Sequence, residues 1–431
     1  MQFDADTMRE LLVTAGLEAG AAAALVAGTP LAEQGVAATV TTALAALLSE
    51  RFGAPQALPE LLRSGALEDW CLFAQAHFDE ETVKQAAVAR ILAAETELAA
   101  GEPYELDMLR REDAPGVARL FHAIYGDKYP VIDYYVPERL TALNHQRQVL
   151  TVVARLPTGE IAGTGAYYRS SPPNAAVYEQ GQLLVDHHYR NTSIAFRILK
   201  RLEALSYAMD YAEAFFGEAV CTHLVTQKTG TKQGHVECAL ELSLMPSGAY
   251  EKEGAAGRVS CLMFFRVDRD TAQPLYLPEC YRDTLTFILS GIALDRDVRF
   301  DGPDVPEADQ SVVDSRTFDF AQVRRVQVAT IGRDLPEHLD ALDAEAKEQG
   351  LAVVQVYLAT GAPGVAFAVG ELRRRGYILG GLLPRWFGTD GLMLQKLAQT
   401  PDFAAVNLYT DRAKTLLAHI RAEWEALGDR P

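Results

Sequence analysis

No two of the five cysteines, Cys71, Cys221, Cys238, Cys261 and Cys280, stand as a CxxC pair. That spacing argues against a zinc ribbon or a thioredoxin-type centre. So sparse and odd a set in a long chain fits reduced thiols. Basic residues are also in deficit, with 40 Lys and Arg against 58 Asp and Glu, a formal net charge of −18. Phosphate backbones select for basic surfaces, so a nucleic-acid partner is not expected. Cationic acceptors, amines or lysine side chains, are compatible with the charge. The alanine-rich run Ala21 to Ala27 is too short to span a bilayer and ends before Pro30, so no membrane contact is expected. The first residues carry Asp4, Asp6, Arg9 and Glu10 without a basic region leading into an apolar core. No signal peptide is expected, and the expected location is cytoplasmic.

The informative stretch runs from Gly181 to Met209. Leu183, Leu184 and Val185 form a short apolar run of strand type. Ile194, Ile198, Leu202, Leu205 and Met209 follow at steps of four, four, three and four, the stripe of an amphipathic helix. Between them Arg190-Asn191-Thr192-Ser193 makes a polar turn. A strand entering a helix through such a turn aims the first backbone N–H groups outward, where the helix dipole adds positive charge. The expectation is an anion site for a phosphate or pyrophosphate.

The remaining chain divides by pattern. Residues 1–101 read as helices only, a bundle with Leu11, Leu12, Leu44, Leu48 and Trp70 as core and Gly53 as a helix end. Pro59 stands at a first helical position and Asp79 at a cap. Residues 104–270 alternate strands and helices, with Asp113 as a cap and Pro157-Thr158-Gly159 as a hairpin turn. Residues 271–320 read as a helix starting at Pro278-Glu279-Cys280-Tyr281, then an acidic, proline-containing linker from Asp301 to Asp314. Residues 321–431 alternate again. The fold class is therefore α/β (α+β) with an all-helical N-terminal domain.

Val185-Asp186-His187-His188-Tyr189-Arg190-Asn191-Thr192-Ser193-Ile194-Ala195 resembles the acyl-CoA-binding motif of the GNAT acyltransferase superfamily, V-x-P-x-Y-R-x-x-G-x-G/A. Val185, Tyr189, Arg190 and Ala195 match. His187 stands where proline is common and Ser193 where the first glycine is usual. The order strand, two helices, three strands, helix, strand, helix, two strands over Glu105 to Val267 is that of a GNAT domain. The Tyr125-Gly126-Asp127-Lys128-Tyr129 loop and the Thr222-His223-Leu224-Val225-Thr226-Gln227-Lys228 run resemble a subgroup of acetyltransferases without an assigned substrate. Glu371 to Tyr377 resembles a late helix-to-strand junction of the same fold, so residues 321–431 are expected to form a second, degenerate GNAT-like module.

The resemblance implies acetyl-CoA as cosubstrate and an amine or lysine acceptor that attacks the thioester directly. Arg190, Asn191, Thr192, Ser193, Ile194 and Ala195 would hold pyrophosphate, and Leu183, Leu184 and Val185 the pantetheine. Glu179, Glu218 and His223 are the candidates for proton handling. The usual acid, a tyrosine on the helix after the fifth strand, is missing from Thr222 to Gln233; Tyr250 lies beyond it. No metal is expected, because His187 and His188, read as extended chain, would point to opposite faces. Gly163-Thr164-Gly165 lies inside a strand and is no dinucleotide fingerprint. A non-catalytic acyl-CoA-sensing or interaction module is the alternative. A homodimer, and a protein partner for the helical domain, are compatible with the sequence.

Overall fold

The structure, a computed structural model, describes residues 5–52, 65–78, 80–94, 98, 101–246, 248, 257–301 and 306–427. Asp4, Gly53, Pro59, Asp79 and Tyr250 lie outside them. The chain forms two compact units, Met1–Tyr168 with Gln182–Ala204, and Arg169–Gly181 with Leu205–Pro431. The strand that precedes the polar turn contributes its start to the second unit and its end to the first.

The first unit opens with helices α1 (Ala5–Thr14), α2 (Ala19–Ala23), α3 (Ala38–Phe52), α4 (Leu67–Phe78) and α5 (Glu80–Ala93). Met8, Leu11 and Leu12 bury one face of α1, as their three-and-one spacing dictates. These helices close no core of their own. Their apolar cluster, with Leu44, Leu48 and Trp70, continues onto Ala118, Ile132, Tyr135 and Val136. Ala118 lies on α6 (Ala114–Tyr125) and the other three in the loop between it and α7 (Pro137–His145), with β1 (Glu105–Met108) preceding both helices. The strands β2 (Val149–Arg155) and β3 (Ile161–Tyr168) pair antiparallel across a turn where Gly159 takes φ +89°; β1 pairs antiparallel with β2. Asp113, expected as a helix cap, makes no such bond to α6. Its buried carboxylate instead accepts from Arg155 Nε at 2.7 Å and Nη2 at 2.6 Å, and from the Arg110 N–H at 2.7 Å. The fork geometry of guanidinium and carboxylate favours that partner over a single backbone bond.

The chain continues through β4 (Val177–Val185), α8 (Ile194–Ala208), β5 (Ala214–Val220), α9 (Val225–Lys232), β6 (Val236–Met245) and β7 (Val259–Val267). Next come β8 (Gln273–Pro278), α10 (Arg282–Leu289), β9 (Arg296–Asp301), β10 (Val312–Phe318), β11 (Val323–Thr330) and α11 (Leu335–Glu348). The last elements are β12 (Val353–Ala359), α12 (Val365–Arg374), β13 (Ile378–Leu383), β14 (Gly391–Leu397) and α13 (Asp411–Leu427).

Two expectations fail in the connecting region. The segment before α10 is a strand, and β8 pairs in parallel with β9 through α10. Pro274 and Pro278 mask the period-two burial of Leu275 and Leu277. The acidic linker ends early, because Val312 to Phe318 is a strand paired antiparallel with β11. Asp314, Ser315 and Arg316 are exposed along it, and polar and charged side chains on an edge strand hinder further pairing.

Within the second unit the strand pairing repeats. β4 is parallel to β5, β5 antiparallel to β7, and β7 antiparallel to β6. β11 is parallel to β12, β12 antiparallel to β14, and β14 antiparallel to β13. The two sets join where Gly381 on β13 meets Ala239 on β6. Gly381 takes φ +146°, and a Cβ there would stand 2.2 Å from the Cys238 carbonyl oxygen, so the junction requires glycine.

Candidate functional site

The first unit holds the polar turn. Its position follows from two glycines on β3. A Cβ on Gly165 would stand 2.7 Å from Ile198 Cγ2, and one on Gly163 would stand 3.0 Å from Ile198 Cδ1. Their absence lets the buried stripe Ile194, Ile198 and Leu202 of α8 lie directly on the strand. The Gly163-Thr164-Gly165 sequence is thus a packing device that fixes where the helix begins.

The turn itself is open. Arg190, Asn191, Thr192 and Ser193 are exposed, while Ile194 is buried and Ala195 half-buried. The left-handed position is taken by Asn191, at φ +64°, and Ser193 is not among the positive-φ residues. Asparagine is among the side chains best tolerated there, so the serine needs no glycine-like backbone. Thr192 Oγ1 donates to the Tyr189 carbonyl at 2.6 Å and accepts from the Ile194 N–H at 3.3 Å. The first turn of α8 thus faces solvent, with the Ile194 N–H already held by Thr192.

Leu183 is exposed, Leu184 packs into the first unit's core and Val185 is half-buried. One residue earlier, Gln182 stands inside β4 at φ +54°, and its amide donates to the Tyr134 hydroxyl. A non-glycine residue held left-handed within a strand costs on the order of 1–3 kcal/mol, and such positions cluster at ligand sites.

The second unit holds the candidate proton-handling groups. The parallel register of β4 and β5 covers Val177↔Ala214, Tyr178↔Phe215 and Glu179↔Phe216 and ends there, although β5 runs on to Val220. Glu218 lies two residues past that last pair, on the side of the strand that carries Phe216. Arg325 Nη2 donates to Glu218 Oε1 at 3.0 Å and to Glu241 Oε1 at 2.8 Å. Arg325 Nε donates to Gln355 Oε1 at 2.9 Å and Nη1 to Ser171 Oγ at 2.6 Å. Gln355 Nε2 completes the set by donating to Glu241 Oε1 at 2.8 Å, and the Tyr357 hydroxyl donates to Gln355 Oε1 at 2.8 Å. Burial, then the charge of Glu218, pushes the Glu241 carboxyl up from its ordinary range against the pull of Arg325.

Arg325 and Glu218 sit on β11 and β5, six strand steps apart in the sheet order. A flat sheet would separate those strands by about 29 Å. Their contact therefore requires the second unit's sheet to coil strongly, with these side chains on its concave face. Trp386 fills the same interior, stacked on Tyr357 at 5.2 Å and edge-on to Phe216 at 5.4 Å.

Of the three candidates, Glu179 and Glu218 belong to this face's strands, and both act electrostatically on Glu241. His223 Nδ1 accepts from the Val225 N–H at 3.4 Å at the start of α9. Glu241, Arg325 and Gln355 were not singled out in the sequence. The signal that marks Glu218, a polar residue in an otherwise apolar strand, is present for Gln355 in VVQVYLA, whereas Arg325 and Glu241 share their strands with other polar residues.

The corresponding start of α11 is closed. The Gly332 N–H donates to Ser311 Oγ at 2.9 Å, the Arg333 N–H to the Ala308 carbonyl at 3.0 Å, and Asp334 Oδ1 accepts from the Ser311 N–H at 2.7 Å. There the parallel register of β11 and β12 extends over six pairs, Val323↔Val353 to Val328↔Leu358. The start of α8 is open, whereas that of α11 is filled by its own chain.

His187 and His188 are not in extended chain. Asp186 starts a short 3-10 turn, His187–Tyr189, which brings the two imidazoles to 3.7 Å between ring centres. The expectation that they face apart is wrong, because the turn replaces the two-residue alternation of a strand.

No family model matches the chain, and no curated protein matches it. Solved structures do. A ribosomal-protein-S5-alanine acetyltransferase from Vibrio fischeri is 13% identical over 41% of this chain and 97% of its own, with a TM-score of 0.31. An N-acetyltransferase from Staphylococcus aureus Mu50 is 14% identical over 38% and 98%, with a TM-score of 0.31. Mutant forms of the spermidine/spermine N-acetyltransferase from Vibrio cholerae are 11% identical over 38% and 94%, with a TM-score of 0.30. Similarity at this level says nothing of activity or substrate. No helix among the described residues is long and apolar enough to cross a membrane.

Proposed function

We propose that the protein is an N-acyltransferase that moves an acetyl group from acetyl-CoA to an amine, either a small molecule or a lysine side chain, in the cytoplasm. The observation that carries this reading is the open turn Arg190–Ser193 at the start of α8, set in a chain whose β4–β5 register stops after three pairs. In this reading the first backbone N–H groups of α8 and Arg190 bind the pyrophosphate, and main-chain groups of Leu183 to Val185 hold the pantetheine. Residues 104–270 form the acetyltransferase domain, and residues 321–431 form a degenerate module of the same kind, whose Arg325 and Gln355 brace the carboxylates.

The amine nitrogen attacks the thioester carbonyl and forms the C–N bond as the C–S bond breaks. The amine's surplus proton passes to Glu218, and the coenzyme leaves as a thiolate that takes a proton from solvent. Glu241, buried and held toward its neutral form, keeps a second full negative charge away from Glu218. Glu179 extends the acidic lining that favours a cationic acceptor.

A second reading, a non-catalytic acyl-CoA-sensing module, is favoured by one observation: Glu218 Oε1 is already engaged by Arg325 Nη2 at 3.0 Å. A thiol-release assay with acetyl-CoA over a panel of amines separates the two. Thiol release with at least one amine supports transfer. Coenzyme binding with no release from any acceptor supports the sensor.

A further inference from the structure

The geometry points to a divalent-cation site at Asp186, His187 and His188, a site of the borderline metals, such as Zn²⁺, that take imidazole nitrogen and carboxylate oxygen. One ligand atom from each of the three residues lies within 4.8 Å of the others. Asp186 Oδ1 stands 3.1 Å from His188 Nδ1, and Oδ2 stands 3.6 Å from His187 Nδ1. Two ligands at 2.0–2.1 Å from a tetrahedral Zn²⁺ are about 3.4 Å apart, and each imidazole stands near that separation from one oxygen of the Asp186 carboxylate.

Three features prepare the site. The 3-10 turn places the imidazoles side by side. The His188 N–H donates to Asp186 Oδ1 at 2.9 Å and fixes the carboxylate's orientation, the outer-shell support that metal ligands need. Asp186 is also buried, and its ion-pair partners among the described residues are these two histidines, with no lysine or arginine. A divalent cation would supply the positive charge that favours a buried carboxylate. Three protein ligands leave at least one coordination position open to water or to an oxygen of a bound ligand.

The test is isothermal titration of the chelator-treated full chain with Zn²⁺, and with Mg²⁺ as a hard-cation contrast. One equivalent of Zn²⁺ should bind and Mg²⁺ should not. His187→Gln, exposed enough to leave the fold intact, should weaken Zn²⁺ by roughly tenfold or more, and His187→Gln with His188→Gln should abolish that event. Far-UV circular dichroism confirms that each variant is folded. Absence of Zn²⁺ binding, or unchanged affinity in the folded double variant, overturns the proposal; the latter would place the ion elsewhere, on the cysteines for instance.

Discussion

Arg325 donates through a single nitrogen, Nη2, to the carboxylates of both Glu218 and Glu241, at 3.0 and 2.8 Å. The three residues come from β11, β5 and β6, so the C-terminal half of the chain is part of the polar cluster rather than an appendage. Removing the guanidinium leaves two carboxylates facing each other with little solvent. Arg325→Met should destabilise the protein by about 3–5 kcal/mol, the range for breaking one side of a buried ion pair. Urea unfolding followed by tryptophan fluorescence reads this directly, because Trp386 packs in the same interior.

Glu218→Gln keeps the shape and the acceptor oxygen for Arg325 but removes the base. If Glu218 takes the amine proton, turnover should fall by about 10²–10⁴, while coenzyme affinity changes little. Steady-state thiol release beside coenzyme titration gives both quantities. Equal losses in affinity and turnover would argue for a structural role.

Two buried groups set opposite pH slopes. Burial, with Arg266 nearby, pushes His235 down to about 3 from an ordinary 6.5. Below 6.5 the unfolded chain takes up a proton that the folded chain refuses, so stability falls as pH falls toward 3, by up to about 1.4 kcal/mol per pH unit. Glu241 is pushed up instead, so its contribution is intact at low pH and is lost as pH rises above its ordinary 4.5. Urea midpoints between pH 4 and 8 should flatten on the acid side in His235→Phe and on the neutral side in Glu241→Gln.

Gly165→Ala tests how the turn is placed. Its Cβ would meet Ile198 Cγ2 at 2.7 Å and Leu202 Cδ1 at 3.2 Å. Overpacking of this kind costs about 1–3 kcal/mol, and relief requires α8 to lift from β3. The variant should lose stability and coenzyme affinity together. A Gly159→Ala control strains only a surface turn and should lose stability alone.

The local part of this architecture was legible in the sequence. The spacing of Ile194, Ile198 and Leu202 marked α8, and the strand-helix order over 105–267 is found as read, because each element's periodicity is written in its own residues. The polar cluster was not legible. Arg325 and Glu218 are 107 residues apart and meet only because the sheet coils, a property no single strand records. β10 hid behind Asp314, Ser315 and Arg316, which interrupt its apolar pattern. His187 and His188 were misplaced because a 3-10 turn of three residues leaves no periodic trace.

The central claim is that the start of α8 binds the pyrophosphate of an acyl-CoA. Isothermal titration of the full chain with CoA, and with acetyl-CoA, tests it against Arg190→Glu. One equivalent should bind to the natural chain, and the variant should lose roughly tenfold or more in affinity, since the substituted carboxylate at this exposed position repels the phosphates. No heat of binding with either ligand, or the same affinity in Arg190→Glu, would contradict it.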